Sequence, residues 1–202
     1  MNHSATTRAG RWLAGLAAIT LLACLEVSGP QRKDKYPIRD IVTPSGDALE
    51  LACTPTGPEM CFDATDDNCN GVIDEGCGVH TGILQFAVAW DAPEADIDLV
   101  VTDASGDLVQ PGEPTSSGLV KDYDCPGDRP QCASQPIENV YLLGGEPERG
   151  RYKVVVKLDK LGGAQAPIQV KLGARVGQRT YAMRFALSPG GESAERAFEF
   201  TL

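Results

Sequence analysis

The sequence predicts an all-β chain: an antiparallel β-sandwich of seven or eight strands, preceded by a small disulfide-rich metal-binding segment and a disordered tether. Three observations carry this expectation. From Gly82 onward, short runs of alternating apolar and polar residues recur between turn residues, the period of half-buried strands. No helical period of useful length interrupts them. Upstream, residues 51–78 hold four cysteines and too few apolar side chains for a core, so they need disulfides or a metal. The expected organisation is 1–23, an export signal; 24–50, a linker; 51–78, a cysteine–aspartate knot; and 79–202, the sandwich.

The N-terminus carries Arg8 and Arg11 with no acidic residue, followed by the apolar run Trp12–Ala23. That run is too short to span a bilayer and suits a secretory signal. It ends in Leu21-Leu22-Ala23-Cys24, which resembles the lipobox of bacterial lipoproteins. The resemblance implies cleavage before Cys24, lipidation of its thiol and attachment to a membrane of the cell envelope. Leu25 follows the cysteine in place of aspartate, and this implies sorting to the outer membrane.

Residues 24–50 read as a linker because Pro30, Pro37 and Pro44 break any period. The chain of 202 residues has a formal charge of -10. Without residues 1–23, 16 basic residues face 28 acidic ones, a balance of -12. Such a surface repels nucleic acid and attracts cations. Of seven cysteines, Cys24 is assigned to the anchor, and an even six remain for disulfides in an exported chain. Cys53, Cys61, Cys69 and Cys77 recur every eight residues, and Cys125 and Cys132 close a separate short loop. Spacing does not choose among the three pairings of the first four. A zinc site is the rival reading, and it lacks the close cysteine pairs that zinc commonly uses.

Within Cys61–Cys77, oxygen side chains occupy alternate positions before a glycine: Asp66, Asn68 and Asn70, then Gly71. That is the spacing of an EF-hand-type calcium loop. Val72 would offer its carbonyl, Asp74 a direct or water-mediated contact, and Ile73 an apolar foot beneath the loop. The twelfth position holds Cys77 where an EF-hand has glutamate, so Glu75 or Asp63 would complete the shell. No amphipathic helix flanks the loop. The pattern Cys-x-Asp-x-x-Asp-Asp-Asn-Cys-Asn-Gly-x-x-Asp-Glu-x-Cys resembles the metal-binding motif of MopE-type bacterial surface proteins. It is also similar to the disulfide-stitched calcium repeats of thrombospondin. The first resemblance implies copper handling. The hard oxygen set, with His80 standing alone, suits calcium better.

In the sandwich region Leu84, Phe86, Val88 and Trp90 alternate, then Ile97, Leu99 and Val101. Later runs are Ile137–Leu142, Tyr152–Leu158, Ile168–Ala174, Tyr181–Leu187 and Phe198–Leu202. The stretches Trp90–Gly106, Ile137–Tyr141 and Gly150–Val156 resemble the YfaP-like domain of bacterial envelope proteins. The same outline is found in the prepeptidase C-terminal domains of secreted enzymes. The resemblance spans most of residues 83–202 and implies a β-sandwich in an exported accessory module. That family often has histidine where this chain has Val100, so no role passes to that position.

Asp96 and Asp98 share one strand face, Asp122, Asp124 and Asp128 surround the second cysteine loop, and Glu138 begins a strand soon after. Neighbouring carboxylates repel unless a cation joins them, so Asp96, Asp98, Asp124 and Glu138 form a candidate second calcium site. The mature chain has a single histidine, His80, and lacks nucleophile-elbow, phosphate-loop and zinc-protease motifs, so no enzyme is expected. These readings converge on a lipid-anchored envelope protein whose calcium- and disulfide-stabilised sandwich is a binding or structural module. Its expected partners are the membrane and an envelope protein or polysaccharide. The rivals are a surface protein that captures copper or calcium, and a non-catalytic accessory subunit of a secreted hydrolase.

Overall fold

The computed structural model of the chain describes residues 35–44, 47, 49–51, 53, 55–125 and 135–202. The expected signal peptide, Cys24, the first part of the linker, Asp128 and Cys132 lie outside the described residues. Among the described residues ten strands are formed, and every pairing between them is antiparallel. In chain order they are β1 (Asp40–Val42), β2 (Glu50–Leu51), β3 (Leu84–Trp90), β4 (Asp96–Thr102) and β5 (Leu119–Asp124). They continue as β6 (Ile137–Leu142), β7 (Arg151–Lys160), β8 (Ile168–Val176), β9 (Arg179–Leu187) and β10 (Glu195–Thr201). One sheet has the order β1-β10-β7-β4 and the other β2-β9-β8-β3-β6-β5.

The two sheets pack as a sandwich because their alternate residues are apolar on the facing sides. Ile97, Leu99 and Val101 of β4 and Val154 and Val156 of β7 meet Phe86 and Val88 of β3 and Val170 and Leu172 of β8 in one core. Rings lock the centre: Phe86 lies 5.3 Å from Phe200, and Phe185 lies 5.9 Å from Phe198, both tilted. Such tilted pairs satisfy the ring quadrupoles while removing large apolar areas from water.

Among the described residues from Gly82 onward eight strands are found, β3–β10, and seven coincide with the alternating runs. The eighth, β5, reads Leu-Val-Lys-Asp-Tyr-Asp, and its register slips against β6 between Lys121 and Tyr123. Among the described residues of 24–50, β1 and the start of β2 stand where a linker is expected. β1 pairs with β10, and β2 pairs with β9, so this segment closes one edge of each sheet. Tyr36, Ile38, Ile41 and Leu49 pack against the core, which gives those short strands an apolar reason to stay. Pro37 and Pro44 stand outside both strands, where no ladder N–H is needed.

β3 is buried on both faces. Its inward row is Leu84, Phe86, Val88 and Trp90. Its outward row of Gln85, Ala87 and Ala89 should meet solvent, yet Ala64 and Ile73 of the knot cover it. The knot therefore lies on the outer face of the six-stranded sheet.

A candidate metal centre in the cysteine–aspartate knot

The knot is stitched by Cys53–Cys69 and Cys61–Cys77, each spanning 16 residues, which resolves the pairing that spacing left open. These two interleaved links hold a segment with almost no core of its own. Four non-glycine residues there, Phe62, Ala64, Cys69 and Asp74, have positive φ, and among the described residues such values occur only in this segment. For residues with a Cβ that conformation costs energy, and the staples and the sheet beneath hold it in place. Cys125, at the end of β5, is also disulfide-bonded.

The seat on the sheet depends on small residues. A Cβ at Gly173 of β8 would stand 2.3 Å from the Ala64 carbonyl oxygen, so only glycine admits the knot there. Ile73 is 1% exposed and rests on Ala87 and Ala89, the apolar foot that the loop pattern predicts. The Thr180 hydroxyl of β9 donates to Asp66 Oδ2 at 3.0 Å, and Lys171 of β8 pairs with Asp63. At the other side, His80 stacks on Tyr141 with centroids 5.3 Å apart, and its Nδ1 lies 2.8 Å from Asp122 Oδ2. Asn139 Nδ2 donates to both the His80 carbonyl and Asp122 Oδ1. Two alanines outward on a central strand and a glycine inside β8 are the sequence signals that could have revealed this seat.

The expected loop residues do come together. Asp66 is 5% exposed, and its carboxylate accepts the backbone N–H of Asn70 at 3.1 Å and of Gly71 at 2.9 Å. This closes the turn, with Gly71 at φ 84. Asn68 Oδ1 accepts the Asn70 N–H, and Asn70 Oδ1 accepts the Val72 N–H. The amide nitrogens of both asparagines point to Glu75 Oε1. Glu75 Oε2 is buried and has no hydrogen-bond partner. In kind, these are hard oxygen donors suited to calcium. In orientation, the asparagines present nitrogen to Glu75, so a cation there requires both amides to turn. Among the described residues no group of three or more His, Cys, Asp or Glu side chains is arranged to hold a metal ion.

Asp74 is placed differently from a loop ligand. It is fully buried, and its two oxygens accept the N–H groups of Asp63 at 3.1 Å and Ala64 at 3.0 Å. Burial pushes its carboxyl up to about 6, against the pull of those N–H donors. Asp63 turns to Lys171, and its Oδ1 is buried without a hydrogen-bond partner. Two acids outside the expected set organise the rest. Glu59 accepts the N–H groups of Asp74 at 2.8 Å and Asp67 at 3.1 Å. Burial, and then the charge of Glu75, push Glu59 up to about 7. Asp67 accepts from Thr56 Oγ1 and the Met60 N–H, both at 3.1 Å. The knot is thus a web of carboxylates capping backbone N–H groups, as expected where a segment lacks a ladder of its own.

The residues of the candidate second site are counterbalanced by lysines. Lys121 Nζ lies 2.6 Å from Asp124 and 2.8 Å from Glu138, Lys160 lies 3.4 Å from Asp96, and Lys157 lies 3.9 Å from Asp98. Glu138 is 1% exposed and also accepts the Leu99 N–H, which caps the open edge of β4. Burial drives the Glu138 carboxyl upward. Burial works to lower Lys121, but the adjacent Glu138 and Asp124 outweigh it and hold the ammonium charged. The cation that neighbouring carboxylates require is supplied here by the chain itself.

Comparison of the chain with protein families, with curated proteins and with solved structures finds no match.

Proposed function

We propose that the chain is a lipid-anchored protein of the cell envelope, held at the outer membrane through Cys24, whose knot and sandwich act as one non-catalytic binding or structural module stabilised by disulfides and calcium. The observation that carries this reading is the oxidised knot seated on the sheet. Four cysteines paired within 25 residues suit an oxidising compartment, which agrees with the export signal and lipobox read at residues 1–24. Disulfide-bonded sulfurs are not available as thiolate ligands, which removes the main soft donors a copper or zinc site would use. Calcium is supported by the spacing of Asp66, Asn68 and Asn70 and by the buried, unpartnered Glu75 Oε2. The docked seat argues that the knot is part of the module's surface.

Membrane fractionation of wild type and Cys24→Ser tests the anchor. The wild type is expected in the membrane fraction with an acylated Cys24 by intact mass, and the variant in the soluble fraction. An unmodified wild-type Cys24 would refute the anchor. Elemental analysis of protein purified without chelator tests the ion. Stoichiometric calcium supports the reading, whereas stoichiometric copper replaces it with metal capture.

A further inference from the structure

A cleft of about 480 Å³ runs along the seam where the knot meets the outer face of the six-stranded sheet. That volume lies within the range of small-molecule sites. One wall comes from the knot, at Phe62 and Asp63, and the floor comes from β3, β8 and β9. Strand register sets Ala89, Lys171 and Arg184 side by side across that floor. Gln169 and Asp91 close one end, where Asp91 Oδ1 accepts the Gln169 N–H at 3.0 Å. Phe62 is held at φ 66 on this wall, a conformation that needs an external reason.

We infer that this cleft binds a short segment of a neutral polysaccharide. The inference deepens the binding-module reading and rests on it. The charges lining the cleft balance, with Asp63 and Asp91 against Lys171 and Arg184. A strongly charged ligand would meet an opposing group whichever sign it carried, and polyanions are further repelled by a chain of net charge -10. Lys171 and Asp63 already neutralise each other. What remains open is an acceptor, Oδ2 of the exposed Asp91, whose Oδ1 alone is taken by the Gln169 N–H, and a donor, the exposed Arg184 guanidinium, which has no ion-pair partner among the described residues. Gln169 adds an amide that both donates and accepts. A ligand whose neighbouring hydroxyls donate on one side and accept on the other answers both, and the C–H face of a sugar ring suits Phe62.

The test is a titration of the folded full chain with neutral cello-, malto- and N-acetylchito-oligosaccharides, read by calorimetry and by backbone amide shifts. At least one series is expected to saturate at up to millimolar concentration and to shift the amides of Phe62, Asp63, Lys171 and Arg184. Arg184→Ala and Phe62→Gly should each weaken binding about tenfold, the loss of one good contact. Glycine tolerates the positive φ at position 62, and Arg184 is exposed, so both variants should keep the wild-type circular dichroism. Arg151→Ala, on the other sheet, should change nothing. No saturation by any series overturns the proposal, as does binding that leaves these amides unmoved. Stronger binding of a zwitterionic dipeptide overturns the sugar class. Each titration is run with calcium and with EGTA, so failure of the calcium reading and failure of the cleft are separate results.

Discussion

The sandwich and the knot reach order by opposite means. The sandwich removes apolar side chains from water: Phe86, Phe198, Phe200 and Tyr152 are each no more than 1% exposed, and its backbone groups pair in ladders. The knot has two apolar residues in its small core, Ala64 and Ile73, and two disulfides. Its backbone N–H groups are satisfied one at a time by Glu59, Asp66, Asp67 and Asp74. A hydrophobic core is forgiving, because neighbouring side chains adjust. A web of carboxylates is exacting, because each loss leaves a buried donor unpaired. The comparison sets an expected order of dependence, because the knot's small core rests on Ala87 and Ala89 of β3 whereas the sandwich core is built without knot residues.

The largest expected effect falls on the sandwich. Phe86→Ala removes a fully buried ring beside Phe200 and should cost about 3–5 kcal/mol, read as the denaturant midpoint of global unfolding. Next comes the knot. Cys61→Ser/Cys77→Ser opens a link spanning 16 residues, worth about 3 kcal/mol in the chain-entropy account. The two variants should differ in kind as well as size. The first lowers the whole transition. The second should make Cys61–Cys77 open to limited proteolysis while far-ultraviolet circular dichroism of the sheets stays intact. Loss of the sandwich signal in the double serine variant would show that the dependence also runs the other way.

A smaller change tests the seam alone. Gly173→Ala adds one methyl group where a Cβ meets the Ala64 carbonyl at 2.3 Å, so the knot must lift. The expected cost is about 1–3 kcal/mol, with faster amide exchange in residues 64–73 and unchanged exchange in β7 and β10. Wild-type exchange throughout would mean that the knot is not seated on β8.

The difference between the regions also explains what could be read in advance. Alternation in Leu84–Trp90 or Tyr152–Leu158 is local, so seven strands and the sandwich were legible. β5 was not, because Lys121 is turned to the buried Glu138 carboxylate and Asp122 sits at a bulge, which hides the period. In the knot, residue types were legible and their assignments were not. Asp66 is bonded to Thr180, 114 residues away, and Asp63 to Lys171, 108 residues away. No local spacing predicts a partner that the sheet brings from that distance. For the same reason lysines stand where a second calcium ion was expected: Lys121, Lys157 and Lys160 reach those carboxylates across strand pairs or along β5.

The smallest effect is a pH response of the knot, read at the amides that its raised carboxyls accept. Glu59 sits at about 7 against an ordinary 4.5, and Asp74 at about 6 against 3.8, in both cases chiefly through burial. Where a folded carboxyl is raised, the folded state keeps a proton that the unfolded chain releases. Stability is therefore highest below the unfolded value and declines as pH rises through the folded one. The knot should tighten as pH falls from 8 to 5. Asp103 in the sandwich runs the other way: Ser117, Thr115 and backbone donors outweigh burial and hold it low, so its contribution is lost only as pH falls below the ordinary carboxylate range. Glu138 and Asp98 of the sandwich are raised by burial like the knot acids, so the knot is read at its own amides and not from global stability. The readout is the amide shifts of Asp67 and Asp74, which donate to Glu59. A step near 7 is expected in wild type, and Glu59→Gln should remove it while leaving a step near 6 at the amides of Asp63 and Ala64. Calcium sharpens the result. The charge of Glu75 helps to hold Glu59 up, so an ion bound at Glu75 should cancel that charge and move the Glu59 step to lower pH. A step near 7 that ignores millimolar calcium would take Glu75 out of the metal shell, and with it the strongest structural support for an ion in the loop.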